Sequence, residues 1–203
     1  WKTWRAAGSR GGGGLSWDSI GERGRRTPAR AGALDVAVST DTGCFQYSNT
    51  TADTHRVAAA LMETGMDVFS LNKRHFRTKS WARLQVERLL TERMHRYEDG
   101  KIAVAPVSLS LMDEADATEE DMEDIAAFLG QIEGVETSVT IRELAEGGCK
   151  LSVRTSGGLN ATKVCARLGG GGHAAAAGCT VSGTLAEAEA AILDAIRQVE
   201  AGA

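Results

Sequence analysis

Four consecutive glycines, Gly169, Gly170, Gly171 and Gly172, run into His173, and Ala174 to Ala177 with Gly178 close the stretch. Glycine loses more conformational freedom on folding than any other residue, so such a run belongs where backbone must turn freely or approach another group closely. Successive unhindered N–H groups form a concave donor array suited to phosphate oxygens, and a terminal histidine adds a donor, an acid or a metal ligand. A flexible turn capped by His173 is the simpler reading of the glycines by themselves. Upstream, Arg154 precedes Thr155, Ser156, Gly157 and Gly158. A guanidinium beside pliable backbone grips phosphate in bidentate fashion, which a lysine ammonium does not; a surface ion pair is the alternative. Asn160 opens the next helical stretch, as an N-cap or as an amide donor to a ligand. Arg154, Asn160 and His173 are together expected to surround one anion.

Far upstream, Asp41-Thr42-Gly43 follows the apolar stretch Leu34 to Val38, read as a strand. The end of a strand is where open α/β sheets place their ligands, and a carboxylate there can hold Mg²⁺ or Mn²⁺. Capping of the turn by the Asp41 side chain explains the residue equally well. Aspartic proteases also present Asp-Thr-Gly after a strand, but they are almost wholly β and need a second carboxylate. At least four helical patterns in this chain argue against that reading.

Lys73 to Arg96 holds eight Lys/Arg against Glu87 and Glu92. Such a stripe offers phosphate contacts to a nucleic acid or is a solvated helix face. Asp113 to Glu136 holds ten acids and no Lys or Arg, read as a solvated face rather than a metal site. His55, His75 and His95 have no metal-ligand spacing.

Several elements position these groups. Helices are expected over residues 51–64, with Gly65 as its C-cap, and over 80–97, 118–129 and 160–168. A last helix follows Thr184, where Thr184 and Glu187 form a capping box. Strands are expected at 34–38, 101–111, 135–141, 149–154 and 179–182. The join between two pieces is placed near 97–101. Residues 1–33 hold eight glycines, six arginines and three of the four tryptophans with no periodicity, and read as unassigned, disordered or non-native sequence. The four cysteines lack a C-x-x-C pair and are expected reduced, as in the cytoplasm. No run approaches the ~18 apolar residues of a membrane helix.

Taken together, Ser39-Thr40-Asp41-Thr42-Gly43-Cys44-Phe45 with Asn49-Thr50-Thr51, Lys150 to Thr155, and Gly169 to His173 with Ala176-Ala177-Gly178 resemble the DHH phosphoesterases. The likeness is to their nanoRNase branch of bifunctional oligoribonucleases and adenosine bisphosphate phosphatases, and runs from about Leu34 to the C-terminus. It implies an α/β fold: the C-terminal remnant of a parallel-sheet DHH catalytic lobe at 34–98, then a smaller α/β DHH-associated substrate-binding domain at 99–203. By the same resemblance Asp41 is a ligand of a paired Mn²⁺ centre, and Arg154, Asn160, Gly170, Gly171, Gly172 and His173 bind substrate. The implied substrates are short RNA or DNA oligonucleotides or a nucleoside bisphosphate, in a cytoplasmic protein that a homodimer would suit. The chain contains no Asp-His-His and none of the family's earlier Asp-rich motifs. One carboxylate cannot hold two metals, so the chain is expected to be the C-terminal part of an enzyme and hydrolytically inactive alone. A non-catalytic nucleotide or nucleic-acid binding module is the alternative.

Overall fold

A computed structural model describes residues 27–47, 49–122 and 125–202. The chain forms two compact units, divided between Thr78 and Lys79. The reading of residues 1–26 as disordered or non-native lies outside the described residues.

Every regular element described in the first unit is helical: α1 (Pro28–Asp41), α2 (Ala52–Met62) and α3 (Val68–Asn72), which runs on into a wide π turn at Lys73–Arg77. The expected strand 34–38 is therefore corrected to the middle of α1, whose first six residues lie inside the stretch taken as unassigned. Thr27 accepts a bond from the Arg30 N–H, and Pro28 occupies the first turn, where its missing N–H costs nothing. The buried residues Ala31, Asp35, Val38 and Ser39 recur every three or four positions, which is a helix face. A short apolar run such as Leu34 to Val38 does not distinguish strand from helix by itself. Helix α2 is opened by a capping box between Thr51 and Thr54.

The second unit is built on a six-stranded mixed sheet of order β1-β2-β3-β4-β6-β5: β1 (His95–Tyr97), β2 (Ile102–Val107), β3 (Thr137–Glu143), β4 (Cys149–Thr155), β5 (Gly171–His173) and β6 (Ala176–Val181). Only β2 and β3 pair in parallel. One face is covered by α7 (Ala161–Ala166) and α8 (Leu185–Ala201), whose Val164, Cys165, Ile192 and Ile196 pack on Val104, Val139, Ile141, Leu151 and Val153. The other face is covered by α4 (Trp81–Arg93) and α5 (Leu109–Glu114) beside β2 and by α6 (Ile125–Leu129) across β2, β3 and part of β4, through Val86, Leu89, Leu90, Leu111 and Leu129. Val86, Leu89 and Leu90 tie residues 81–93 to this sheet, so α4 and β1 belong to the second unit, ahead of the join expected near 97–101.

Two expected helices are shorter than read. The one from Ser80 stops at Arg93 because Met94 is extended (φ −67°, ψ 149°), and His95–Tyr97 is a strand paired with β2. The one expected over 118–129 is described as a 3-10 turn at Glu120–Met122 and α6; Thr118 spends its hydroxyl donating to Asp121 rather than accepting as a cap.

Candidate functional site

Alternation along β4 sorts its residues between two environments. Cys149, Leu151 and Val153 point into the core beneath α7 and α8, so Lys150, Ser152 and Arg154 point to the opposite face. That face is covered by helices over β2 and β3, with α6 reaching β4, where Ser152 and Arg154 are half-buried; Gly171 and His173 on β5 are exposed. Register then aligns rows across it. Arg154 pairs with Ala176, and Ala176 with His173; Ser152 pairs with Gly178, and Gly178 with Gly171. Arg154 and His173 thus flank a single alanine on one open surface, roughly 10 Å apart across two strand spacings. The neighbouring row has only Ser152 and two glycines as its floor.

The glycine run is an edge strand as well as a loop, since Gly171–His173 are β5. Two of its glycines are needed for close approach. A Cβ on Gly170 would lie 2.2 Å from the Gly178 carbonyl oxygen and 2.4 Å from Cys179 Cβ. One on Gly172 (φ 149°) would lie 2.6 Å from both the Ala176 carbonyl oxygen and Ala177 Cα. At Gly171 nothing lies within 4 Å, so this glycine leaves surface open instead. The loop end is tied down by the Ala161 N–H donating to Ala174 O (2.8 Å) and the Thr155 N–H donating to Ala175 O (3.0 Å).

The open face continues into a cleft of about 620 Å³ lined by Arg154, Ser152, Lys150, Arg142, Thr140 and Glu119 among others. Arg142 pairs with Glu119 at 2.5 Å, which holds the Glu119 carboxyl below its ordinary range, while Arg142 Nε is buried without a partner. Sequence reading missed Lys150, Ser152 and Arg142. The signal for the first two was their two-residue spacing from Arg154 within a strand.

Asn160 does not join this face. Its Oδ1 accepts the Lys163 N–H at 3.2 Å as the N-cap of α7, and it lines a separate cleft of about 410 Å³ with Lys101, Glu136, Gly157, Gly158 and Lys163. The structure brings Arg154 and His173 into one row, while Asn160, expected to converge with them on one anion, caps α7 beside it. Cys165 and Cys179 sit in the core on either side of the glycine run, both free; hydrogen bonding to Cys179 and burial push the Cys165 thiol up.

In the first unit, Asp41 is the last residue of α1 rather than the end of a strand. The chain turns there through three successive residues of positive φ, Gly43 (56°), Cys44 (55°) and Phe45 (66°). Buried Thr42 holds the turn by donating to Val38 O (2.8 Å) and accepting from the Phe45 N–H (3.1 Å). Asn49 Nδ2 donates to the Asp41 carbonyl (3.0 Å) and to its carboxylate Oδ2 (3.2 Å). Asn49 Oδ1, Thr50 Oγ1 and Ser39 Oγ are buried without partners. Oxygen donors of this kind suit a hard divalent cation. Yet no three His, Cys, Asp or Glu side chains come together among the described residues, so these do not complete a metal centre. A left-handed non-glycine residue costs about 1 kcal/mol. Cys44→Gly is accordingly expected to raise the urea midpoint of the first unit, by about 0.5–1 kcal/mol of stability.

Among curated proteins, the chain is 37% identical over 174 residues to the bifunctional oligoribonuclease and PAP phosphatase NrnA of Thermus thermophilus, covering 85% of this chain and 50% of that protein. Among solved structures, it matches an exopolyphosphatase-related protein of Bacteroides fragilis with a TM-score of 0.79 and 25% identity, covering 85% of this chain and 51% of that one. The chain thus spans about half the length of both. The DHHA1 domain family matches residues 99–202, which hold the open face, the glycine run and both helices beneath them. With that match running from the turn before β2 to the end of α8, over more than half its length, the chain belongs to the DHHA1 domain family.

Proposed function

We propose that the second unit is the substrate-binding domain of a manganese-dependent phosphoesterase acting on short oligonucleotides or nucleoside bisphosphates. The row Arg154, Ala176, His173 carries the reading: a bidentate cation and an imidazole on one open sheet face, beside a floor without side chains at Gly171 and Gly178. The guanidinium suits a phosphate, and the bare floor admits a flat base or a sugar close to the backbone. The Thermus relative, named as an oligoribonuclease and PAP phosphatase, supports this substrate class. Of the loop, Gly171 and His173 face the ligand, Gly170 and Gly172 let the edge strand approach β6, and Asn160 caps α7 beside it. Asp41 offers one carboxylate toward metal, and no catalytic step is assigned to the described residues. None of their helices is long and apolar enough to cross a membrane.

The test is titration of the full chain with a nonhydrolysable dinucleotide. Arg154→Ala is expected to weaken binding by roughly 1.5–3 kcal/mol, the value of a hydrogen bond to a charged group. Unchanged affinity would remove Arg154, and the face it stands on, from the site.

A further inference from the structure

The basic stripe noted in the sequence is not absorbed by the open sheet face. No acidic residue occurs between Asp67 and Glu87 in a chain whose net charge is −4. In the first unit, α3 and the π turn form one helical run that places Lys73, Arg74 and Arg77 in solvent, and among the described residues none of the three has an ion-pair partner. Two aromatic rings are exposed on the same run, Phe69 at 67% and Phe76 at 36%. Phe69 and Lys73 are one turn apart, and the wide turn carries Phe76 and Arg77 one turn further.

Exposed phenylalanines would ordinarily be buried, and unpaired cations beside them disfavour an apolar partner, because covering the rings would desolvate the charges as well. A partner that is itself anionic and presents flat apolar faces satisfies both. We propose that Phe69, Lys73, Arg74, Phe76 and Arg77 form a contact surface for single-stranded nucleic acid, the cations neutralising backbone phosphates and the rings stacking bases. The proposal rests on the oligonucleotide reading above. It adds a surface of the first unit that a longer oligonucleotide contacts and a dinucleotide does not.

The full chain is titrated with a nonhydrolysable dinucleotide and with a phosphorothioate decauridylate over a range of salt concentrations. Lys73→Gln/Arg74→Gln/Arg77→Gln is expected to weaken decamer binding roughly tenfold, and to reduce the slope of log affinity against log salt by about 0.7 for each phosphate no longer neutralised. Phe69→Ala/Phe76→Ala is expected to weaken it roughly fivefold with the slope unchanged, since stacking releases no counterions. Dinucleotide affinity stays the same in both variants. Decamer binding indifferent to the three cations, with the dinucleotide still bound, overturns this surface alone, as does binding of polyglutamate as tight as that of RNA. Failure of the unmodified chain to bind either RNA overturns the proposed function and this surface with it.

Discussion

Gly170→Ala is expected to unfold the edge of the second unit, whereas Gly171→Ala, one residue on, folds normally. The Cβ of an alanine at 170 would meet the Gly178 carbonyl oxygen at 2.2 Å and Cys179 Cα at 2.8 Å, both backbone atoms of β6 that cannot rotate away. Relief requires β6 to move, and β6 is locked to β4 over six residue pairs. The Gly170 N–H donating to Cys165 O at 2.8 Å, which joins the run to α7, would go with it. The cost falls at or beyond the upper end of the ~1–3 kcal/mol of ordinary overpacking. At Gly171 no atom lies within 4 Å of the added carbon, so the change in stability should stay within about 0.5 kcal/mol. Its methyl instead projects onto the open floor beside Gly178 and should weaken dinucleotide binding. Urea unfolding of both variants, followed by dinucleotide titration of Gly171→Ala, separates the glycine that the fold needs from the glycine that the ligand needs. Equal stability of the two variants would contradict the packing described.

That distinction was not legible in the sequence, where the four glycines look alike. Local rules with a fixed spacing read well: the Thr184 and Glu187 capping box opens α8 as expected, with the Glu187 N–H donating to Thr184 Oγ1 and Glu187 Oε2 accepting from the Thr184 N–H. Strand β4 and helix α7 also lie where alternation and the Asn160 cap put them. Strand β5 had no such signal, because a strand of two glycines and a histidine has no alternation and exists only through its pairing with β6. Helix α1 is hidden in the sequence because Leu34, Val36 and Val38 alternate as a strand would, and its cap, Thr27, lies in the glycine- and arginine-rich stretch without periodicity. The Arg154 and His173 row depends on strand order and register, which bring together residues far apart in the chain. The family motifs named both residues but did not align them.

The two faces of β4 give the other large effect. Leu151→Ala is expected to destabilise the second unit by about 2–5 kcal/mol, because Leu151 is fully buried at the centre of the sheet, under α7 and α8. The cavity cannot close easily: β3 and β6 hold Leu151 from both sides through Ile141 and Cys179, and a sheet between two fixed neighbours has little room to collapse. Arg154, three residues along the same strand, is only part-buried, and among the described residues its guanidinium bonds just the Val153 carbonyl at 3.2 Å. Its removal should leave the urea midpoint within about 0.5 kcal/mol of the original while abolishing most of the dinucleotide affinity. Leu151→Ala should do the reverse at temperatures where it stays folded, because the opposite face, with Ser152, Gly178 and Arg154, keeps its backbone. A loss of stability in Arg154→Ala comparable to that in Leu151→Ala would mean that Arg154 holds the sheet together and is not reserved for a ligand.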